Sequence, residues 1–232
     1  MMKTAGIIGG IGPESTIEYY RFIIEGYRAR ITDGSYPSLI LNSVDLNKLV
    51  TWMNAGELDA AADYLLLEIE RLAKADADFA AIAANTPHIV LNQLRGRSPL
   101  PLISIVEATR NQALALGLKR VGLFGTRFTM QATFYPSVFA ETGLTIVVPN
   151  EEEQAFIHDK YFNELVRNIF LPETRDRLLA IVDRMKADEA IEGLILGGTE
   201  LPLILRQEDH NGVIFLDTTR IHCERIVEEL MS

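Results

Sequence analysis

The chain has 232 residues, of which 48% are hydrophobic and 23% charged, so it can bury a core of ordinary globular size. Its formal net charge of −10 provides no broad basic face, which argues against a nucleic-acid partner. No apolar run reaches the roughly 18 residues that span a bilayer, and the single cysteine excludes an intrachain disulfide. We therefore expect a cytoplasmic protein without a membrane partner.

Short apolar runs alternate with long helical patterns along the chain, which is typical of parallel sheets covered by helices. The predicted strands are residues 5–9, 39–44, 79–83, 102–106, 121–124, 145–148, 193–196 and 213–216. Their lack of polar alternation predicts burial on both faces. Ser15 or Thr16 can cap the first helix, and Pro172 suits the first turn of a later one.

The strands form two matching sets of four. GIIGG from Gly6 matches GLFGT from Gly122, AIAANTPH matches LILGGTELP, and LPLISIVEAT matches GVIFLDTTRI. This repetition predicts an α/β fold of two pseudo-symmetric lobes, each a parallel four-stranded sheet flanked by helices. The lobes are residues 1–106 and 107–217, and the final helix, 218–232, can pack back onto the first. Facing strand ends predict an active-site cleft between the lobes.

The loop after the first strand is rich in glycine and opens a helix, as a dinucleotide-binding turn does. Pro13 removes a backbone donor, however, and Glu14 puts a negative charge where a pyrophosphate would lie. A tight turn at Gly10 that serves a small ligand is the better interpretation.

Small polar residues follow several later strands. Their hydroxyl, amide and backbone N–H groups can hold a carboxylate without a full cation. The candidates for substrate binding are Asn85, Thr86, Thr126, Thr129 and Thr199. Arg127 is a candidate carboxylate clamp, or it faces solvent.

The titratable candidates each have two interpretations. Asp45 can accept hydrogen bonds from a substrate ammonium group or cap the following helix. His88 and Glu200 are either bases or hydrogen-bonded structural anchors. Lys160 can assist carboxylate binding. The histidines at 88, 158, 210 and 222 lack metal-ligand spacing, so we expect no metal.

Taken in order, these motifs resemble the aspartate/glutamate racemase family, which includes aspartate, glutamate and hydantoin racemases. GIIGGIGPEST resembles the family's opening loop, ANTPH its cysteine-asparagine-threonine turn, LGGTELPL its glycine-cysteine-threonine-glutamate turn, and FLDTTRIH its closing strand–helix junction. The resemblance implies racemisation, without a cofactor, of a small dicarboxylic amino acid, aspartate or glutamate. In that mechanism one cysteine thiolate removes the α-proton and a second thiol delivers a proton to the opposite face. A homodimer is also implied.

Both thiols are absent from this chain. The family's cysteine positions correspond to Ala84 (or Ala83 in an alternative alignment) and Gly198, while Cys223 lies on the final helix. Three functions remain open. The chain is a racemase by descent with an impaired two-thiol mechanism, a ligand-binding homologue without catalysis, or an isomerase or lyase that uses His88, Glu200 or Asp45 as a base.

Overall fold

The computed structural model describes residues 3–232, which divide into two compact units. The first unit contains residues 3–105 together with 219–232, and the second contains residues 106–218. Within the described part of the chain, no helix combines the length and the apolar character needed to cross a bilayer.

The first half of the chain supplies four strands and five helices, in the order β1 (Thr4–Gly9), α1 (Pro13–Arg30), β2 (Ser38–Ser43), α2 (Leu46–Ala55), α3 (Leu58–Lys74), β3 (Phe79–Ile82), α4 (Leu91–Arg95), β4 (Leu102–Ile103) and α5 (Ile105–Ala115). The second half continues with β5 (Arg120–Gly125), α6 (Arg127–Gln131), α7 (Phe134–Ala140), β6 (Thr145–Val147), α8 (Glu151–Asn163), α9 (Pro172–Glu189), β7 (Gly193–Gly197), α10 (Leu201–Ile204), β8 (Asp209–His210), β9 (Val213–Asp217) and α11 (Thr218–Leu230). Short 3-10 helices cover Thr86–Val90 and Leu165–Arg167.

Each unit is built on a sheet with the same winding. The first sheet has the order β2-β1-β3-β4 and is parallel throughout. The second has the order β6-β5-β7-β9-β8, in which only β8 is antiparallel. The parallel strands therefore follow one plan twice, second-first-third-fourth, as the internal repeat predicts.

The central strands of the first sheet are covered on both faces, because alternate side chains point to opposite sides. Ile8 packs with the helix α3 residues Leu65 and Ile69. Its neighbour Ile7 packs on the other face with Tyr19 of α1 and with helix α11. A parallel sheet with helices on both faces is the arrangement that the apolar strands predicted.

The second unit has its own core. Leu194 and Leu196 of β7 pack with Val182 and Met185 of α9, and Tyr161 of α8 joins the same cluster. Pro172 begins α9, as predicted from the low cost of proline in the first turn.

Three sequence-based expectations were wrong in detail. Strand β2 is an edge strand with Leu41 43% exposed, so burial on both faces does not hold for every strand. The strand β8 was not predicted, because two polar residues give no apolar signal. The N-cap of α1 is Gly12, not Ser15 or Thr16, whose hydroxyls instead donate to the Gly12 carbonyl at 2.7 and 3.1 Å.

Candidate functional site

The opening loop of the first unit is a tight turn held by side chains. Gly10 has a φ of +81°, and its N–H donates to the hydroxyl of Thr16 at 2.9 Å. A Cβ at Gly10 would lie 2.5 Å from the carbonyl oxygen of Val44 and 2.6 Å from the hydroxyl of Ser43. Only glycine suits this backbone and this contact with the chain after β2. Glu14, on the first turn of α1, is exposed.

Asp45 is exposed and caps helix α2. Its Oδ1 accepts the N–H of Asn47 at 2.9 Å, and its own N–H donates to the Tyr64 hydroxyl at 3.1 Å. This geometry favours the capping interpretation of Asp45 over the recognition of a substrate ammonium group.

The turn after β3 presents Ala84 where the family resemblance places the first thiol. The N–H of Ala84 donates to the carbonyl of Ile82 at 2.8 Å, and the residue is buried in the α3-side core. Asn85 is buried and Thr86 is partly exposed. The methyl group of Ala84 cannot transfer a proton.

His88 connects the turn after β3 to the backbone at the start of α5. The N–H of Ile105 donates to Nε2 of His88 at 3.2 Å, and Nδ1 lies 3.0 Å from the carbonyl oxygen of Ala84. Because Nε2 accepts a proton, the neutral ring carries its own proton on Nδ1 and donates it to Ala84. Both nitrogens thus serve the backbone, which favours the structural-anchor interpretation.

A second buried histidine lies beside His88 and was not identified as important from the sequence. The rings of His88 and His222 are 6.2 Å apart. The Nε2 atom of His222 lies 3.1 Å from the Ile103 carbonyl oxygen, and Nδ1 lies 2.8 Å from the Tyr19 hydroxyl. Burial lowers the pKa of His222 to about 3, with a smaller contribution from His88, so this ring is neutral at physiological pH.

In the second unit, the turn after β7 carries Gly198, Thr199 and Glu200. Glu200 is 3% exposed, and its Oε2 accepts hydrogen bonds from the hydroxyls of Thr199, at 2.9 Å, and of Tyr161. Burial raises the pKa of Glu200, and the two hydroxyl donors partly oppose that rise. Burial also raises the pKa of Tyr161 well above its usual range, and the charge of Glu200 adds to the effect.

Tyr161 fills the space beside Gly198. A Cβ built on Gly198 would lie 2.4 Å from Cε2 of the Tyr161 ring and 3.0 Å from its hydroxyl oxygen. The backbone of Gly198 does not have a positive φ, so glycine is required here by the ring and not by the conformation. Tyr161 and Ile157 are both buried on α8, and Tyr161 was not among the residues singled out from the sequence.

The turn after β5 forms a polar cluster at the start of α6. Thr126 caps this helix by accepting the N–H of Thr129, and their hydroxyls lie 3.2 Å apart. The side chain of Arg127 is exposed, and its N–H donates to Nδ1 of His158 at 3.1 Å. Burial lowers the pKa of His158, and the charge of Arg127 lowers it further, which keeps this acceptor neutral.

Lys160 has a partner within its own helix. Its Nζ lies 2.5 Å from Oε1 of Glu164, and this hydrogen bond raises the pKa of Lys160. Its assistance in carboxylate binding stays a prediction. Across residues 3–232, no three His, Cys, Asp or Glu side chains are grouped to hold a metal ion.

Comparison with known proteins identifies the family of this chain. A sequence model of the Asp/Glu/Hydantoin racemase family matches residues 8–226. The chain belongs to this family.

Three proteins of known sequence or structure are similar to this chain over most of its length. The fold is similar to that of an aspartate racemase homologue from Pyrococcus horikoshii OT3, at 35% identity and a TM-score of 0.86 over 100% of both chains. It is also similar to a candidate Asp/Glu racemase from Yersinia pestis, at 30% identity and a TM-score of 0.91 over 100% of both chains. The broad specificity amino-acid racemase RacX of Bacillus subtilis (strain 168) is 24% identical over 164 residues, which span 65% of this chain and 66% of RacX.

This racemase-family chain has no thiol in either turn. Its one cysteine, Cys223, is 1% exposed on α11, and its Sγ lies 3.8 Å from the carbonyl oxygen of Tyr19. A buried thiol held in a helical core has the character of a packing residue.

Proposed function

We propose that this racemase-family protein binds a small dicarboxylic amino acid, aspartate or glutamate, and does not racemise it by the two-thiol mechanism. The observation that carries the proposal is the pair Gly198 and Tyr161. At one turn there is no side chain, and an aromatic ring lies 2.4 Å from where its Cβ would be. At the other turn Ala84 offers a methyl group.

Two-thiol racemisation needs a proton acceptor on one face of the α-carbon and a proton donor on the other. The thiolate also needs an exposed and electropositive setting to form. Cys223 meets neither need, since it is buried on α11 among apolar residues. The family's activity therefore does not follow from this chain's family membership.

Hydroxyl groups that can hold a carboxylate lie in two turns of the second unit. Thr126 and Thr129 lie at the start of α6, and Thr199 lies in the turn after β7. We propose that these groups of the second unit hold a carboxylate of the ligand; Asn85 and Thr86 stay candidates for the same role. Arg127 supplies a cation for the carboxylate, because a guanidinium can pair with a carboxylate through two hydrogen bonds.

Calorimetric titration of the protein with D- and L-aspartate and with D- and L-glutamate tests this proposal. At least one of the four should bind, and should raise the melting temperature in proportion to the logarithm of its concentration. Alanine and succinate are the controls, since each lacks part of the proposed ligand. Absence of binding by all four amino acids would contradict the proposal. Cytoplasmic location and a homodimer stay predictions.

A second candidate, an isomerase or lyase, is favoured by one observation only. Of its proposed bases, His88 uses both ring nitrogens on the backbone and Asp45 caps α2. Glu200 alone among them combines deep burial with a raised pKa, and burial of this kind makes a carboxylate a stronger proton acceptor.

A further inference from the structure

Tyr161 occupies the place of the side chain that Gly198 lacks. Its hydroxyl oxygen is 3.0 Å from the position of a Cβ on Gly198. The ring is held there by the core of the second unit, in which Tyr161 is 7% exposed. An O–H group thus lies beside the turn residue where the family resemblance places a thiol.

Glu200 is arranged to exchange a proton with that hydroxyl. Its Oε2 is the acceptor for the Tyr161 hydroxyl and also accepts from Thr199. Thr199 is the residue next to Gly198, so the turn itself orients the carboxylate. Removal of water from such a pair strengthens the hydrogen bond that joins it.

We propose that Tyr161, acting with Glu200, exchanges the α-proton of the bound amino acid on one face of the α-carbon, with retention of configuration. Tyr161 is a catalytic residue in this proposal, and Glu200 is a positioning residue that acts through it. The proposal rests on the proposed function, because exchange requires that the amino acid binds.

The proton balance is simple. The hydroxyl oxygen of Tyr161 takes the proton from Cα as its own proton passes to Oε2 of Glu200, and the C–H electron pair remains on the substrate as an enolate-like carbanion. Return of a proton by the same route restores the amino acid and the ionised Glu200. In deuterated water the proton on the pair is replaced by deuterium before it returns, so deuterium enters Cα. No oxidant, reductant or further reactant is consumed.

Burial favours a proton relay through the neutral Tyr161 hydroxyl to Glu200 over a mechanism in which Tyr161 is ionised. Because burial and the charge of Glu200 raise the pKa of Tyr161, the neutral phenol persists. Burial raises the pKa of Glu200 as well, which makes its carboxylate a stronger proton acceptor than an exposed one. The proton returns through the same hydroxyl, so the carbanion regains it on the face that lost it.

The test follows the α-proton signal of each bound enantiomer by NMR in deuterated water, in the parent protein and in variants. The variants are Tyr161→Phe, which removes only the hydroxyl, and Glu200→Gln, which keeps an acceptor for that hydroxyl but no base. Tyr135→Phe is the matched control, since Tyr135 is a fully buried tyrosine of the same unit. Calorimetry reports the affinity of each protein separately.

We expect the parent to exchange one enantiomer without converting it to the other. Tyr161→Phe and Glu200→Gln should lower the exchange rate at saturation by about 100-fold or more, with affinity within about twofold of the parent, while Tyr135→Phe behaves as the parent does. A parent that binds but does not exchange, or a Tyr161→Phe variant that exchanges at the parent's rate, would overturn the inference. A parent that binds no amino acid contradicts the proposed function itself. If Tyr161→Phe does not fold, exchange by the parent and its loss in Glu200→Gln support the inference, and exchange at the parent's rate in Glu200→Gln contradicts it.

Discussion

The ring of Tyr161 and the missing side chain of Gly198 occupy the same space. A Cβ at Gly198 would approach Cε2 of that ring to 2.4 Å, closer than packed carbon atoms come. The turn after β7 can therefore regain a thiol only if Tyr161 moves or is made smaller.

The first prediction concerns this collision. Gly198→Ala should lower the free energy of unfolding by about 1–3 kcal/mol, as overpacked cores do. The loss should shrink when the same change is made in a Tyr161→Ala background, because the space is then empty, and a double-mutant cycle measures the coupling. Gly96→Ala is the control, since its Cβ would meet only the Gln93 carbonyl oxygen at 3.9 Å. Equal losses in both backgrounds would contradict the assigned contact.

The same contact affects any attempt to restore racemisation. Ala84→Cys with Gly198→Cys replaces both missing thiols but leaves Tyr161 in place, so we expect no racemisation above the parent and a lower melting temperature. Addition of Tyr161→Ala gives the second thiol room and should permit racemisation, measured by chiral chromatography. Comparable activity in the double and the triple variant would show that Tyr161 is no obstacle.

A prediction about pH follows from His222. The folded protein keeps this ring neutral down to about pH 3, whereas the unfolded chain binds a proton below the ordinary pKa of 6.5. The unfolded state therefore holds more protons in this window, and the free energy of unfolding should fall as pH falls from 6.5 to about 3, by about 1.4 kcal/mol per pH unit for one group. Above pH 6.5 the contribution is complete.

Denaturant unfolding of the parent and of two variants, measured between pH 3 and pH 7, tests this prediction. His222→Asn should be less stable at pH 7 but should show a shallower fall in stability with pH than the parent. Gln93→Asn, a change between two uncharged side chains at an exposed position, is the control and should keep the parent's steepness. A parallel pH dependence in the parent and His222→Asn would contradict the role given to this ring.

Comparison of Gly10 with Gly34 separates the cost of a positive φ from the cost of a steric clash. Gly10 and Gly34 both have positive φ, of 81° and 88°, but a Cβ at Gly34 meets nothing within 4 Å. Gly34→Ala should thus cost about 1–2 kcal/mol from the backbone alone. Gly10→Ala adds a clash with the Val44 carbonyl and should lower the melting temperature considerably more. Similar losses at the two sites would show that the contact with Val44 is not tight.

Arg127 gives a prediction about ligand affinity. If its guanidinium pairs with a substrate carboxylate, Arg127→Gln should weaken binding about tenfold, which corresponds to about 1.4 kcal/mol. Arg177→Gln changes the charge equally at an exposed site on α9 and should leave the affinity unchanged. Equal affinities for the parent and Arg127→Gln would place this side chain outside the binding site.

The fold was predictable from the sequence because buried parallel strands leave a strong apolar signal. Strands such as β5 and β7 follow directly from their apolar residues, and the repeat of the turns at Ala84 and Gly198 predicted the duplicated winding. Strand β8 has two residues and no such signal. The cap of α1 was misplaced because Ser15 and Thr16 are good capping residues in isolation, while the chain turns earlier, at Gly12.

The candidate site was predictable only where the residues belong to one turn. Thr199 and Glu200 are adjacent in the sequence, so their hydrogen bond depends only on the local conformation of the turn. Tyr161 and Glu200 are 39 positions apart, and their pairing depends on how α8 packs in the second unit. The role of His222 could not be predicted either, because its partners Ile103 and Tyr19 are distant in the sequence and close only in the folded chain.

Chiral chromatography of L-aspartate and of D-glutamate, each held with the protein at saturating concentration for many hours, most directly tests whether the loss of both thiols ended racemisation. We predict that each sample keeps its starting enantiomer, with no conversion above a protein-free blank. Accumulation of the opposite enantiomer at a rate proportional to protein concentration, and unaffected by a thiol-blocking reagent, would contradict the account.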